Sequence, residues 1–506
     1  MFVSHLKKIS ALILALGVTT SSLAENDVSV TADKTADYAV KTYSEDMVSS
    51  LAELVSHNTV AVEGIPSDKN PIHIAFKQEL KSQAESLGLS FKDDGYVVII
   101  SLGDSEQRVG VITHGDVQPA NPSKWKQSPF KLDLTSEPGK LIGRGTEDDK
   151  GPISTALYAM KAIKDKKIKL SKRIELYVYM AEESDWEPLK EYVKNHEMPQ
   201  TNITIDASYP VVTAEKGYGT LKFAFNRNKI ISIDPYLTDF QGGYFGSQIP
   251  EDASVTIANA DLNLLQTLMK KANSYKGVTF DFNLSANKLT IKALGKSAHS
   301  SKPSDGVNAI THLAHLLSNT RWANNGPGTL VNFINDNIGL DLQGKLFGSI
   351  AYEDEFMGPM TVSPTVIKQH DNNIELNINI RRPRGKSEQL LRDEINRAVA
   401  NWKFANMADV LELDHYIGAP FVQTGAPHIP TLLAVFQKYT GIKDAKPVSI
   451  GGGTNSRLFP NAVSFGPSMP GKAYSGHSEH EFITMEQFKL NLRMYTAVLV
   501  ELATEQ

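Results

Sequence analysis

The sequence contains no cysteine among its 506 residues. Disulfides, thiolate metal ligands, a cysteine nucleophile and lipid attachment at a lipobox cysteine are all excluded, so packing alone must hold the fold. Aromatic residues make up only 8%, and neither an aromatic ladder nor a basic stripe occurs, which argues against nucleic acid as a partner. The N-terminal apolar run, residues 9–18, is well short of the roughly 20 residues a spanning helix needs, so no stable membrane anchor is expected. Lys7 and Lys8 precede that run and Ser22-Leu-Ala24 follows it. The pattern reads as a secretory signal over residues 1–24, predicting an exported protein, periplasmic or secreted, whose mature chain starts near Glu25. Formal charge is −5, and loss of Lys7 and Lys8 leaves 50 basic against 57 acidic residues, or −7.

What is present points to metal chemistry. A chain this long exceeds one compact core, so two domains are the default. Its distinctive residues fall into short motifs in a fixed order: His114-Gly-Asp116, Gly143-Arg-Gly-Thr-Glu-Asp148-Asp149-Lys-Gly151, Glu182-Glu183, Asp206 and, far downstream, His477. Carboxylates and imidazoles spread in this way suit a pair of zinc ions, which take His nitrogen and Asp or Glu oxygen and keep a position open for water. Several apolar runs end where such a residue begins: 109–113 before His114, 173–181 before Glu182 and 202–205 before Asp206. Runs like these suit strands covered on both faces of a mostly parallel sheet, whose ligands gather outside the strands' carboxyl ends. Residues 152–164 read as a helix with an early proline.

From about residue 218 to 418 the pattern changes. A strand over 290–294 leads into a Gly-Lys-Ser-Ala-His299 turn and a helix from about 307 to 317. Ile374, Leu376, Ile378 and Ile380 alternate with polar residues, as in a sheet exposed on one face. Arg381-Arg-Pro-Arg-Gly385 ends that strand, and Ser387 can cap a helix reaching about Trp402. The class expected is α/β: a catalytic domain over 25–217 and 419–506 with an inserted α+β domain over 218–418. Gly451-Gly-Gly453-Thr454 lacks the Gly-Lys-Ser/Thr of a phosphate loop, so a backbone closely approached by substrate, at Gly452 and Gly453, is the better reading.

In this order the motifs resemble the M20 metallopeptidase family, and within it the dipeptidase branch of bacterial dipeptidase V and the carnosinases. The resemblance implies that His114 and Asp206 bind one zinc, Glu183 and His477 the other, and Asp148 bridges them, with cobalt or manganese as alternative metals. A carboxylate has two oxygens and can span two cations roughly 3.5–4 Å apart, whereas an imidazole cannot. Asp149 is then read as an acid near the backbone donors of a helix start. Asp116 is read as accepting the other ring N–H of His114 and fixing its tautomer. Glu182 is the candidate general base, taking a proton from a zinc-bridging water and delivering it to the leaving amine. The resemblance gives His299 the oxyanion, the inserted domain the part of a lid, and Arg381 the substrate's C-terminal carboxylate, which a guanidinium fits with two parallel hydrogen bonds. Surface charge beside Arg382 and Arg384 is the other reading of Arg381. His480 competes with His477 as the late ligand; His477 keeps the family spacing to Glu481.

The expectation is thus a two-zinc exopeptidase acting on dipeptides with free termini. Rival readings are a deacylase of N-acyl amino acids in the same family and a silent peptide-binding relative, against which the intact Glu182 speaks. Monomer and homodimer both remain open, and with them whether His299 serves its own chain or a partner.

Overall fold

In the computed structural model, residues 28–504 are described, except 229, 231, 413 and 414. The expected signal over 1–24 lies outside them. The apolar runs singled out above form strands. Arg108–His114 lies between Arg173–Tyr179 and Thr201–Thr204, parallel to both. Val463–Ser464 continues the parallel set beside Thr201–Thr204. The margins turn antiparallel: Val97–Leu102 pairs with Arg173–Tyr179 on one side, and Val212–Glu215 with Val463–Ser464 on the other. This mixed sheet of nine strands has a parallel centre.

Alternate side chains of the central strands divide between two apolar layers. Val109, Val111, Leu176 and Val178 meet the helices Val30–Val55, Lys150–Asp165 and Met485–Ala503, while Ile112, Tyr177 and Tyr179 meet Leu189 and Phe459. Burial on both faces is why these strands read as continuous apolar runs.

The second sheet, also of nine strands, is antiparallel throughout. Its core residues run from Leu221 to Ile417, whereas those of the first sheet's main core run from Val28 to Val211 and from Ala426 to Ala503. Helices Ala309–Leu316, Pro327–Asn337 and Glu388–Asn406 cover it. Ser387 caps the last of these by accepting from the Leu390 N–H at 3.2 Å. The strand Asn373–Arg382 buries Ile374, Leu376, Ile378 and Ile380 as the alternation requires. Its other face is not uniformly exposed, because Asn379 and Arg381 are buried as well. The chain enters and leaves this unit at one place: Gly418 N–H donates to Tyr218 O at 2.8 Å, and a Cβ on Gly217 would lie 2.2 Å from Gly418 O.

The two units touch around the metal motifs. Gln248 donates to the His477 carbonyl at 2.8 Å, and the Glu479 N–H donates to the Ser297 hydroxyl at 3.2 Å. Gly451 abuts the second unit's own backbone, since a Cβ there would fall 2.3 Å from Ser301 O.

Candidate active site

Three parallel strands deliver the site from their carboxyl ends. His114 is the last residue of Arg108–His114, Glu182 and Glu183 lie in the turn after Arg173–Tyr179, and Asp206 follows Thr201–Thr204. Asp148 and Asp149, joined by a cis peptide, precede helix Lys150–Asp165, and His477 sits on the loop before strand Phe482–Thr484. Side chains far apart in sequence thereby converge. His114 Nε2 is 2.9 Å from Asp148 Oδ1 and 3.7 Å from Asp206 Oδ1. His477 Nε2 is 2.7 Å from Glu183 Oε1 and 3.2 Å from Asp148 Oδ2. Asp148 turns one oxygen toward each imidazole, as a bridging carboxylate must.

Ring tautomers follow from the outer contacts. Nδ1 of His114 lies 3.0 Å from the Asp116 carbonyl, which can only accept, so Nδ1 carries a proton there and Nε2 is the ring nitrogen turned toward Asp148 and Asp206. The acceptor is thus the Asp116 backbone rather than its carboxylate, which stands 3.6 Å away. That carboxylate instead accepts from the Glu182 and Glu183 N–H groups at 2.9 and 3.0 Å, fixing the turn that carries the glutamate pair. Asp149 stands at a helix start, as expected. It occupies the helix N-cap without capping: its side chain accepts from the Thr113 hydroxyl and its ligand atom clusters with those of His114 and Asp206. Capping gives way because the buried carboxylate is engaged by the Thr113 hydroxyl instead. Of the two late histidines, His477 enters the cluster; His480 is half-exposed and pairs with Glu137 at 2.9 Å.

The electrostatics call for positive charge. Burial alone would lower the imidazole pKa values, yet the surrounding carboxylates hold His114 well above its ordinary value and raise His477 to about 10. Burial raises Asp148, but His114 and His477 outweigh it and hold that carboxyl well below the usual range. Burial, then the charge of Asp206, pushes Glu182 up, and its Oε1 is buried with no hydrogen-bond partner. Asp149 Oδ1 is likewise buried and unpartnered. Five carboxylates around two imidazoles, with orphaned oxygens among them, fit divalent cations that accept nitrogen and oxygen ligands.

The second unit closes the site. His299 lines the same cavity of about 600 Å³ as Asp148, Glu182 and Glu183, its ring centroid 4.3 Å from that of His477. Its Nδ1 accepts from the Ser301 N–H at 3.0 Å. Burial and the charges of His477 and Arg381 hold its pKa well below the ordinary value, so the ring is neutral with its proton on Nε2. Arg381 also lines the cavity and is 4% exposed, which excludes the surface reading. Its guanidinium donates to Asn379 and Ser300 at 3.0 Å and to Gly451 O at 3.4 Å, and it lies 5.0 Å from the ring centre of Tyr218, its cross-strand partner. None of these partners is a carboxylate. Gly452 and Gly453 line the cavity, where an added Cβ would come no nearer than 3.8 Å to a neighbour at Gly452 and 3.4 Å at Gly453.

Sequence reasoning missed Gln118, which donates to Glu183 at 2.9 Å, and Tyr474, whose hydroxyl donates to Asp148. It also missed Glu147 and weighed Glu481 for spacing alone. Glu147 and Glu481 lie inside or beside the motifs; nothing local marked the other two.

A family model described as peptidase family M20/M25/M40 matches residues 110–501. The chain belongs to this family. A family member from Lactobacillus delbrueckii subsp. lactis, a Beta-Ala-Xaa dipeptidase, is 30% identical over 452 residues, 88% of this chain and 92% of the relative. Among solved structures, human carnosine dipeptidase 1 superposes with a TM-score of 0.55 at 14% identity, covering 93% of this chain and 99% of that one. A dipeptidase from Saccharomyces cerevisiae gives the same TM-score and identity over 92% and 98%. At such identities the superpositions speak to the fold alone, which is shared over 92–93% of this chain.

Proposed function

We propose that the protein is an exported dipeptidase that works with two zinc ions. The observation that carries this reading is the shared cavity: Asp148 between two imidazoles at one place in it, and at another a buried guanidinium whose hydrogen bonds go to Asn379, Ser300 and Gly451 rather than to a carboxylate. His114 and Asp206 would hold one ion and Glu183 and His477 the other, with Asp148 between them and Asp149 close to the first. Cobalt and manganese suit the same donors. Bound there, the ions supply Lewis acidity and lower the pKa of water.

The chain's own groups account for the rest. Glu182, desolvated and with a free oxygen, takes a proton from the attacking water and returns it to the leaving amine nitrogen. His299 Nε2–H donates to the carbonyl oxygen as charge develops on it. Arg381 pairs the substrate's terminal carboxylate, so a short peptide with a free C-terminus is aligned while analogues lacking that charge are penalised.

Purified protein, chelated and then given zinc, should cleave a simple dipeptide and leave its N-acetylated form intact. Preference for the acetylated form would move the assignment to a deacylase. Export is tested by sequencing the N-terminus of protein recovered outside the cytoplasm, expected at Glu25.

A further inference from the structure

Asp148 and His477 sit on loops that are remote in sequence, yet their spacing must be held within about 0.5 Å for a two-ion site to work. Two buried glutamates, 334 positions apart, tie those loops together reciprocally. Glu481, on the histidine loop, accepts through Oε1 from the backbone N–H groups of Gly145, Glu147 and Asp148 at 3.0, 3.0 and 3.1 Å. Its Oε2 accepts from Arg144 at 2.7 Å. Glu147, on the aspartate loop, reaches back to Ser475, accepting from its N–H at 2.6 Å and its hydroxyl at 2.5 Å, while Ser468 donates to its other oxygen at 2.9 Å. Neither glutamate lines the cavity.

We infer that Glu147 and Glu481 are positioning residues that set the separation of the two ion sites. Each loop supplies the carboxylate that satisfies the other loop's donors, so neither ligand can move without breaking contacts at both ends. Three N–H groups converging on one oxygen also fix the backbone of Asp148 itself, the residue on which both ions depend. A salt bridge that merely stabilised the fold would need only Arg144 and Glu481. The extra N–H bonds and the return arm through Glu147 bear on ligand geometry.

The inference rests on the two-ion reading above, and the experiment separates the two. Zinc affinity and stoichiometry are measured by competition with a chromophoric chelator for wild type, Glu147→Gln, Glu481→Gln, Ser475→Ala and Asp148→Ala. Circular dichroism and a thermal melt of the chelated protein report the fold. Glu147→Gln and Glu481→Gln should fold, retain one ion, and bind the second about 10–100-fold more weakly. The double variant should lose no more than the worse single one, because the two act as a unit. Should Glu481→Gln fail to fold, Ser475→Ala, which removes only a hydroxyl, should still weaken the second ion about tenfold. Folded variants with wild-type affinity for both ions, including variants that only melt earlier, would overturn the inference. Wild-type protein binding fewer than two zinc ions would remove the two-ion reading, and Asp148→Ala retaining both ions would remove Asp148 as the bridge, and the clamp with it.

Discussion

Single side chains decide the chemistry, and their substitutions should separate binding from turnover. Glu182→Ala is expected to lower kcat by at least about 100-fold, the lower end for a general base, with zinc stoichiometry unchanged. Loss of an ion would show that Glu182 and Glu183 had been exchanged. Arg381→Ala should lose activity strongly against a dipeptide but little against its C-terminal amide, because only the former presents the carboxylate. Equal losses on both would sink that role. His114, Glu182 and Asp206 could be read from the sequence, since each stands where an apolar run stops. What could not be read there shares one physical cause. A carboxylate's partner depends on packing: that of Asp116 accepts from the glutamate turn rather than from the His114 ring, and Asp149, although it stands at the helix start as read, turns its side chain to Thr113.

At the scale of elements, strands and helices followed patterning closely. The helix read as 152–164 runs Lys150–Asp165, and the strand read as 290–294 runs Lys288–Leu294. Burial of both sheet faces produced the signal for the first unit, and one-sided covering by helices produced the alternation in the second. What alternation could not reveal is that the polar face of Asn373–Arg382 turns from solvent to cavity at its end, because that depends on where the second unit docks. Ser387→Ala tests a local reading that held. Losing the bond to the Leu390 N–H should destabilise the helix Glu388–Asn406 by about 1 kcal/mol in denaturant unfolding. A change within error would mean that the cap is redundant.

For the whole molecule, the decisive fact is that His299 and His477 of the same chain lie ring to ring. In this arrangement His299 reaches the cavity of its own chain. Mixing Glu182→Ala with His299→Ala protein should therefore recover no activity, whatever the mass in gel filtration. Recovery toward a quarter of wild type or more would place the histidine in a partner's site. The sequence was silent on this point, because reach across a cavity is set by docking of two units and not by either unit's pattern.

Where the chain crosses into the second unit and back, Gly217 and Gly418 nearly touch. An insert whose ends meet behaves as a cassette. The stretch between these glycines could be lifted out and replaced by a short turn without stretching the strands on either side. What remained would hold His114, Asp148, Glu183, Asp206 and His477 but neither His299 nor Arg381, an ion-binding scaffold onto which other covers could be grafted.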